Sequence, residues 1–235
     1  MSETVLEVQD IVKTYNQGLP NEIKVLKEVS MKINKGDFVS IVGPSGSGKT
    51  TLLDIIGCLM RPTSGGVFVD GVDVKELGDS ELANIRGNKI GFVFQQYNLI
   101  QTITAQENVE IALRIMGKSK GDAKKRAKEL LELVGLGKRL NNKPSQMSGG
   151  EQQRVAIARA LANNPSIILG DEPTGNLDTK TGEKILNLLK KLNNENGYTI
   201  VVVSHDPNVT EYVDYTIHIR DGEIEKTTNG TTTNK

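Results

Sequence analysis

The chain has 235 residues, with 29 Lys+Arg set against 29 Asp+Glu, so its formal charge at pH 7 is zero, and it carries one cysteine. That length suits one large domain, or a domain with a lobe. The charge balance argues against a nucleic-acid binder that works by bulk positive charge, and a single cysteine makes no internal disulfide.

In chain order, Val5-Leu6-Glu7-Val8 alternates weakly, as an edge strand would, and Tyr15 follows in a polar segment. Val25-Leu26 and Val29 to Ile33 suggest further short strands. Phe38-Val39-Ser40-Ile41-Val42 reads as a buried strand. It runs into Gly43-Pro44-Ser45-Gly46-Ser47-Gly48-Lys49-Thr50-Thr51, which fits the phosphate-loop pattern G-x-x-x-x-G-K-[ST]. From Thr50 to Leu59 apolar residues recur at helical spacing, and Cys58 there is expected to be a small core residue. Pro62 to Gly66 reads as a breaker, followed by a strand Val67-Phe68-Val69 ending at an Asp70-Gly71 turn.

Ile90 to Phe94 is another buried strand, with Gln95-Gln96 at its C-terminal end. The stretch 95–164 reads as a helical lobe, in which Asp122 is expected to cap a helix bearing Ala127, Leu130, Leu131 and Val134 and closed by Gly135. Ser166 to Gly170 returns to strand and is followed at once by Asp171-Glu172. Ile185, Leu188, Leu189 and Leu192 mark a helix, Thr199 to Val203 a strand, and Asp206-Pro207 a helix start. Tyr215 to Ile219 and Glu223 to Glu225 flank Asp221-Gly222 as a hairpin, and the polar tail 227–235 is expected to be disordered. The two halves 1–94 and 165–226 thus form one core interrupted by the lobe. Strands alternating with helices imply an α/β fold with a mainly parallel sheet, and phosphate would sit at its C-terminal edge. No stretch approaches 18 uninterrupted apolar residues and no signal-peptide pattern opens the chain, so a cytosolic location is expected.

The chemistry-bearing residues collect at strand ends. Gly43, Gly46 and Gly48 let successive N–H groups face one concavity, and a helix N-terminus adds partial positive charge. Lys49 can reach β- and γ-phosphates, and the Thr50 hydroxyl can ligate Mg²⁺. Asp171 at a strand end suits a metal-bound carboxylate, and Glu172 can polarise an attacking water. Gln95 can ligate Mg²⁺ or orient water, and His205 can contact the γ-phosphate. Ser148-Gly149-Gly150-Glu151-Gln152 opens a helix as a second anion-binding terminus, able to complete the nucleotide site of another copy.

Taken in order, these motifs resemble the nucleotide-binding subunits of ABC transporters, over nearly all of residues 6–224. The resemblance gives Tyr15 as the adenine-stacking aromatic, 43–51 as Walker A, Gln95 as the Q-loop and Ser148–Gln152 as the signature. Asp171 and Glu172 correspond to Walker B, Gly175-Asn176-Leu177-Asp178 to the D-loop and His205 to the switch histidine. It implies a P-loop NTPase of ABC type: a RecA-like, mainly parallel core, a small antiparallel β subdomain and an inserted helical lobe. It also implies ATP and Mg²⁺ as cofactors. Two copies would pack head-to-tail, each ATP lying between Walker A of one and Ser148 and Gly150 of the other.

The region Phe92 to Ile100 with Thr104 to Val109 is similar to the lipoprotein-release, macrolide-export and cell-division subgroup. The family docks its integral membrane permease beside the Q-loop, which implies a peripheral position on the cytoplasmic face, and no nucleic-acid partner. An alternative in the same fold is a non-transport ATPase regulating a membrane-bound cell-wall or cell-division machine. DNA-repair relatives require a long coiled coil that the interval from Lys49 to Ser148 has no room for.

Overall fold

The structure, a computed structural model, describes residues 3–230. β1 (Thr4–Tyr15) and β2 (Ile23–Asn34) pair antiparallel. β3 (Phe38–Val42) leads into the glycine loop and α1 (Lys49–Ile56). β4 (Ser64–Val69), β5 (Val72–Asp73), α2 (Asp79–Lys89) and β6 (Ile90–Phe94) follow. Then come α3 (Ala105–Ile115), α4 (Lys120–Leu133), a 3-10 turn at Pro144–Gln146 and α5 (Gly149–Ala160). The described chain ends with β7 (Ile167–Asp171), α6 (Thr179–Asn196), β8 (Thr199–Ser204), a second 3-10 turn at Pro207–Glu211, β9 (Tyr215–Arg220) and β10 (Glu223–Asn229).

Two sheets result. The antiparallel one has the order β2-β1-β4-β5, and the larger one β10-β9-β3-β8-β7-β6. In the larger sheet β9, β3, β8, β7 and β6 run parallel, and β10 adds an antiparallel edge. Strands covered on both faces read as continuous apolar runs, and β8 is buried at all six positions. The pleat splits its side chains between two cores. Val201 and Val203 join Ile41, Leu52, Ile55 and the antiparallel sheet on one face. Ile200 and Val202 join Phe38, Ile168 and helices α3 to α6 on the other.

Ile41 is fully buried in the central strand. Ile41→Ala is expected to lower unfolding stability by about 2–5 kcal/mol, from lost transfer energy and the cavity left behind. Urea unfolding checks this, and a loss below about 1 kcal/mol would show that the site is not packed as described.

Several expectations change. β1 is an interior strand of its sheet, because its far edge is taken by β4: Leu6 pairs with Val69 and Val8 with Val67. The two short strands around 25–33 are one strand, bulged where Glu28 takes φ 57 and the register shifts between Ile11/Val29 and Lys13/Leu26. The breaker's Ser64–Gly66 already lie in β4, paired with β1. The helix at 120 is capped by Ser119, whose hydroxyl accepts from the Asp122 N–H at 3.1 Å and donates to the Asp122 carboxylate at 2.7 Å. Asp122 is instead the first-turn acid of that pair. β10 runs through Asn229, where a disordered tail was expected, because Thr227 and Thr228 pair with Ile217 and Thr216 of β9. Residues 231–235 of that tail lie outside the described residues.

Candidate active site

The parallel register brings four strand ends to one edge. Val42 is level with Ser204, Asp171 with Val203, and Phe94 with Asp171. The residues that follow these ends are therefore Gly43, His205, Glu172 and Gln95. Gly43 leaves β3 hard against β9, and a Cβ there would collide with the Ile219 carbonyl oxygen. Gly48 caps α1 in the left-handed region, at φ 98°. No acidic residue occupies the first turn of α1, so the partial positive charge of its N-terminus is left for an anion.

Val25, Ser45, Gly46, Gly48, Lys49, Thr50, Thr51, Glu172 and His205 line one pocket of about 470 Å³. Lys49 is buried, and its Nζ donates to the carbonyls of Gly43 at 2.9 Å and Pro44 at 2.8 Å. Burial pushes its ammonium below the ordinary lysine range, while Glu172 and Asp171 pull it back up. Asp171 is held above the ordinary carboxylate range, first by burial and then by the nearby Glu172 and Asp54 carboxylates, with Lys49 opposing. The Ser47 hydroxyl is buried with no hydrogen-bond partner among the described residues. Across the pocket mouth, His205 Nδ1 lies 2.9 Å from Glu172 Oε1. An ionised carboxylate only accepts, so Nδ1 carries the proton and Nε2 remains to face a ligand. Glu172 itself adopts φ 45°, a left-handed value in a residue followed by proline.

Gln95, Tyr15, Ser148, Gly149, Gly150, Glu151 and Asp178 do not line this pocket. Gln95 meets the segment after β7: its Nε2 lies 3.4 Å from Asn176 Oδ1, and Asn176 Nδ2 donates to the Gln95 carbonyl at 2.9 Å. Tyr15 does not line the pocket. Its hydroxyl meets Met60 Sδ at 3.2 Å, and the Lys13 ammonium lies 5.2 Å from its ring centre. Ser148 caps α5 in a reciprocal box with Glu151, whose carboxylate accepts from the Ser148 N–H at 2.9 Å and is thereby held below the ordinary range. Gly149 packs against Tyr97 and Leu177 and Gly150 against Thr181, and neither lines the pocket around Lys49, Glu172 and His205. Asp178 caps α6 by accepting from the Thr181 N–H at 3.1 Å.

Sequence reasoning missed Val25 in the pocket wall and Asp54 beside Asp171. Asp54 lies four residues after Thr50, on the same face of α1, which was the available signal.

Residues 26–175 match the sequence profile described as ABC transporter. An uncharacterised ABC transporter ATP-binding protein of Methanocaldococcus jannaschii, MJ0796, is 55% identical over 226 residues, covering 94% of this chain and 96% of that one. A dimeric, post-hydrolysis structure of MJ0796 bound to ADP and Pi superposes with a TM-score of 0.86 at 53% identity, over 95% of this chain and 98% of that one. The lipoprotein-releasing system ATP-binding protein LolD 1 of Rhodopseudomonas palustris is 47% identical, over 94% of this chain and 98% of its own length. The macrolide export ATP-binding/permease protein MacB of Syntrophobacter fumaroxidans is 51% identical over 94% of this chain, but over only 31% of its own length. With a phosphate loop, an acidic strand end and a histidine converging on one edge, this chain belongs to the ABC transporter family, as one of its ATPase subunits.

Proposed function

We propose that the chain binds ATP at Gly43–Thr51, hydrolyses it with Glu172 as general base, and does so inside a head-to-tail pair of copies that drives a membrane partner. The observation that carries this is the single pocket in which Lys49, Glu172 and His205 face one another. Walker A N–H groups and Lys49 would hold the phosphates, and Glu172, oriented by His205, would take the proton from the attacking water. His205 and Gln95 would report the γ-phosphate. Mg²⁺ fits the donors at hand, all hard oxygens: the Thr50 hydroxyl, the Asp171 carboxylate and the Gln95 amide oxygen. The crowding of Asp171 by two carboxylates favours a cation there. When bound, the metal would neutralise charge developing on the phosphates. The Tyr15 ring would stack on adenine, giving up its contact with the Lys13 ammonium.

The second half of the site would come from the other copy, through Ser148, Gly149, Gly150 and Glu151, with Asp178 at the seam. The N-terminus of α5 would turn N–H groups and the Ser148 hydroxyl, now paired with Glu151, to an anion, and none of Ser148, Gly149 and Gly150 lines the pocket around this chain's own phosphate loop, which fits a site completed in trans. The membrane partner would dock beside the Q-loop, in a groove of about 360 Å³. Its wall includes the stacked rings of Phe92 and Phe94, 5.5 Å apart, and the exposed Ile115. No helix among the described residues is long and apolar enough to cross a membrane, so the chain would sit peripherally, on the cytoplasmic face, through that partner. Export, or extraction of a substrate from the membrane, is the transport mode the LolD and MacB relatives suggest.

Ser148→Ala tests the trans site. Hydrolysis is expected to fall roughly tenfold as one charge-assisted contact to the γ-phosphate is lost, while the affinity of the single copy for ATP stays unchanged. A fall in single-copy affinity with turnover preserved would refute the trans assignment.

A further inference from the structure

Helix α5 holds a buried polar side chain that the reading above does not use. Gln153 is fully buried. Its Nε2 donates to the Pro173 carbonyl at 2.6 Å, and its Oε1 is buried with no partner among the described residues. The amide has one sensible orientation, because turning it over would press Oε1 against another acceptor. Leaving one side of a buried amide unsatisfied is unfavourable. What the other side holds is the carbonyl directly after Glu172.

Glu172 needs holding. Its backbone is in the left-handed region, next to a proline that disfavours helical angles in the preceding residue. Two backbone bonds brace the turn, from Glu172 N–H to Val203 O at 2.9 Å and from Gly175 N–H to Glu172 O at 3.0 Å. Pro173 has no N–H to contribute. Its carbonyl, gripped by Gln153, supplies a third tether, one that comes from α5. The same helix begins at Ser148–Gly150. There Gly149 lies so close to Leu177 and the Tyr97 hydroxyl, and Gly150 so close to Thr181, that neither has room for a side chain. The first turn of α5 is therefore packed closely against Leu177 and Thr181, in the segment that follows Glu172.

We propose that Gln153 is a positioning residue that ties the helix end meeting one ATP to the carboxylate acting on the other. This rests on the two-copy reading above, in which Ser148 faces the partner's ATP while Glu172 faces this chain's own. Closure on the partner's ATP moves α5, and Gln153 passes that movement to the Glu172 turn. Hydrolysis in one pocket thereby depends on occupancy of the other.

The test is Gln153→Met, which keeps the length and removes the donor, with Gln153→Leu alongside should the first fold poorly. Each is measured for kcat, for single-copy ATP affinity, and, in the Glu172→Gln background, for ATP-driven pairing. The expected result is a fall in kcat of about tenfold to a hundredfold, the range that slight misplacement of a reacting group produces. Affinity should stay within about twofold of the parent, a shift that small being under 0.5 kcal/mol, and pairing in the Glu172→Gln background should be intact. A kcat equal to the parent's would overturn the proposal. So would a loss of pairing equal to the loss of kcat, since Gln153 would then support only the contact face of α5. If Glu172→Gln alone turned over ATP normally, the general-base reading would fail, whatever Gln153 did.

Discussion

Glu172→Gln is expected to abolish nearly all ATP turnover while leaving ATP binding intact. The glutamine keeps the size of the side chain and can still receive the His205 Nδ1–H, which now meets the carboxylate at 2.9 Å. What it loses is the ability to take a proton. Removing a positioned general base costs about 10²–10⁴-fold in rate. The trapped state should accumulate as an ATP-bound pair, because the contacts that close the pair precede the chemistry. Single-turnover hydrolysis with a parallel ATP titration measures both quantities. Turnover at the parent rate would remove Glu172 from the base role and leave His205 and the remaining pocket residues to account for activation of water.

The second large effect is expected at Lys49. Its ammonium is buried and now satisfied by two loop carbonyls, Gly43 and Pro44. ATP offers phosphate oxygens in their place, and a charge-assisted bond contributes about 1.5–3 kcal/mol. Lys49→Ala should therefore weaken direct ATP binding roughly 10- to 100-fold. Because the same lysine holds Gly43 and Pro44, loss of loop geometry adds to this. Gly43→Ala separates the contributions: it leaves the lysine in place but forces the loop off the Ile219 carbonyl. Unchanged affinity in Lys49→Ala would contradict the phosphate-loop assignment itself.

What was legible in the sequence was local. β3, the glycine loop and α1 announce themselves within fourteen residues, 38–51, because strand, turn and helix signals are contiguous there. The acidic pair after β7 and His205 after β8 were readable because each follows an apolar run, and a parallel sheet sends such ends to one edge. What was not legible depended on distance in the chain or on weak pattern. α2 buries only Leu82, so it has no apolar stripe to read. The unity of β2 was hidden by the bulge at Glu28, which breaks the alternation. The approach of the Gln95 amide nitrogen to Asn176, 81 residues away, is a contact no spacing rule predicts. Gln153 follows the Ser148–Gln152 stretch, and its partner, the Pro173 carbonyl 20 residues on, is set by packing that no spacing rule encodes.

Closure of two half-sites is the claim on which the rest depends. The most direct measurement is the solution mass of Glu172→Gln with excess ATP and Mg²⁺, with Ser148→Ala added in a second sample. The first should run as a two-copy species that disperses when ATP is withdrawn, and the second should shift toward single copies at the same concentration. A single-copy mass for Glu172→Gln at saturating ATP and high protein concentration would contradict it.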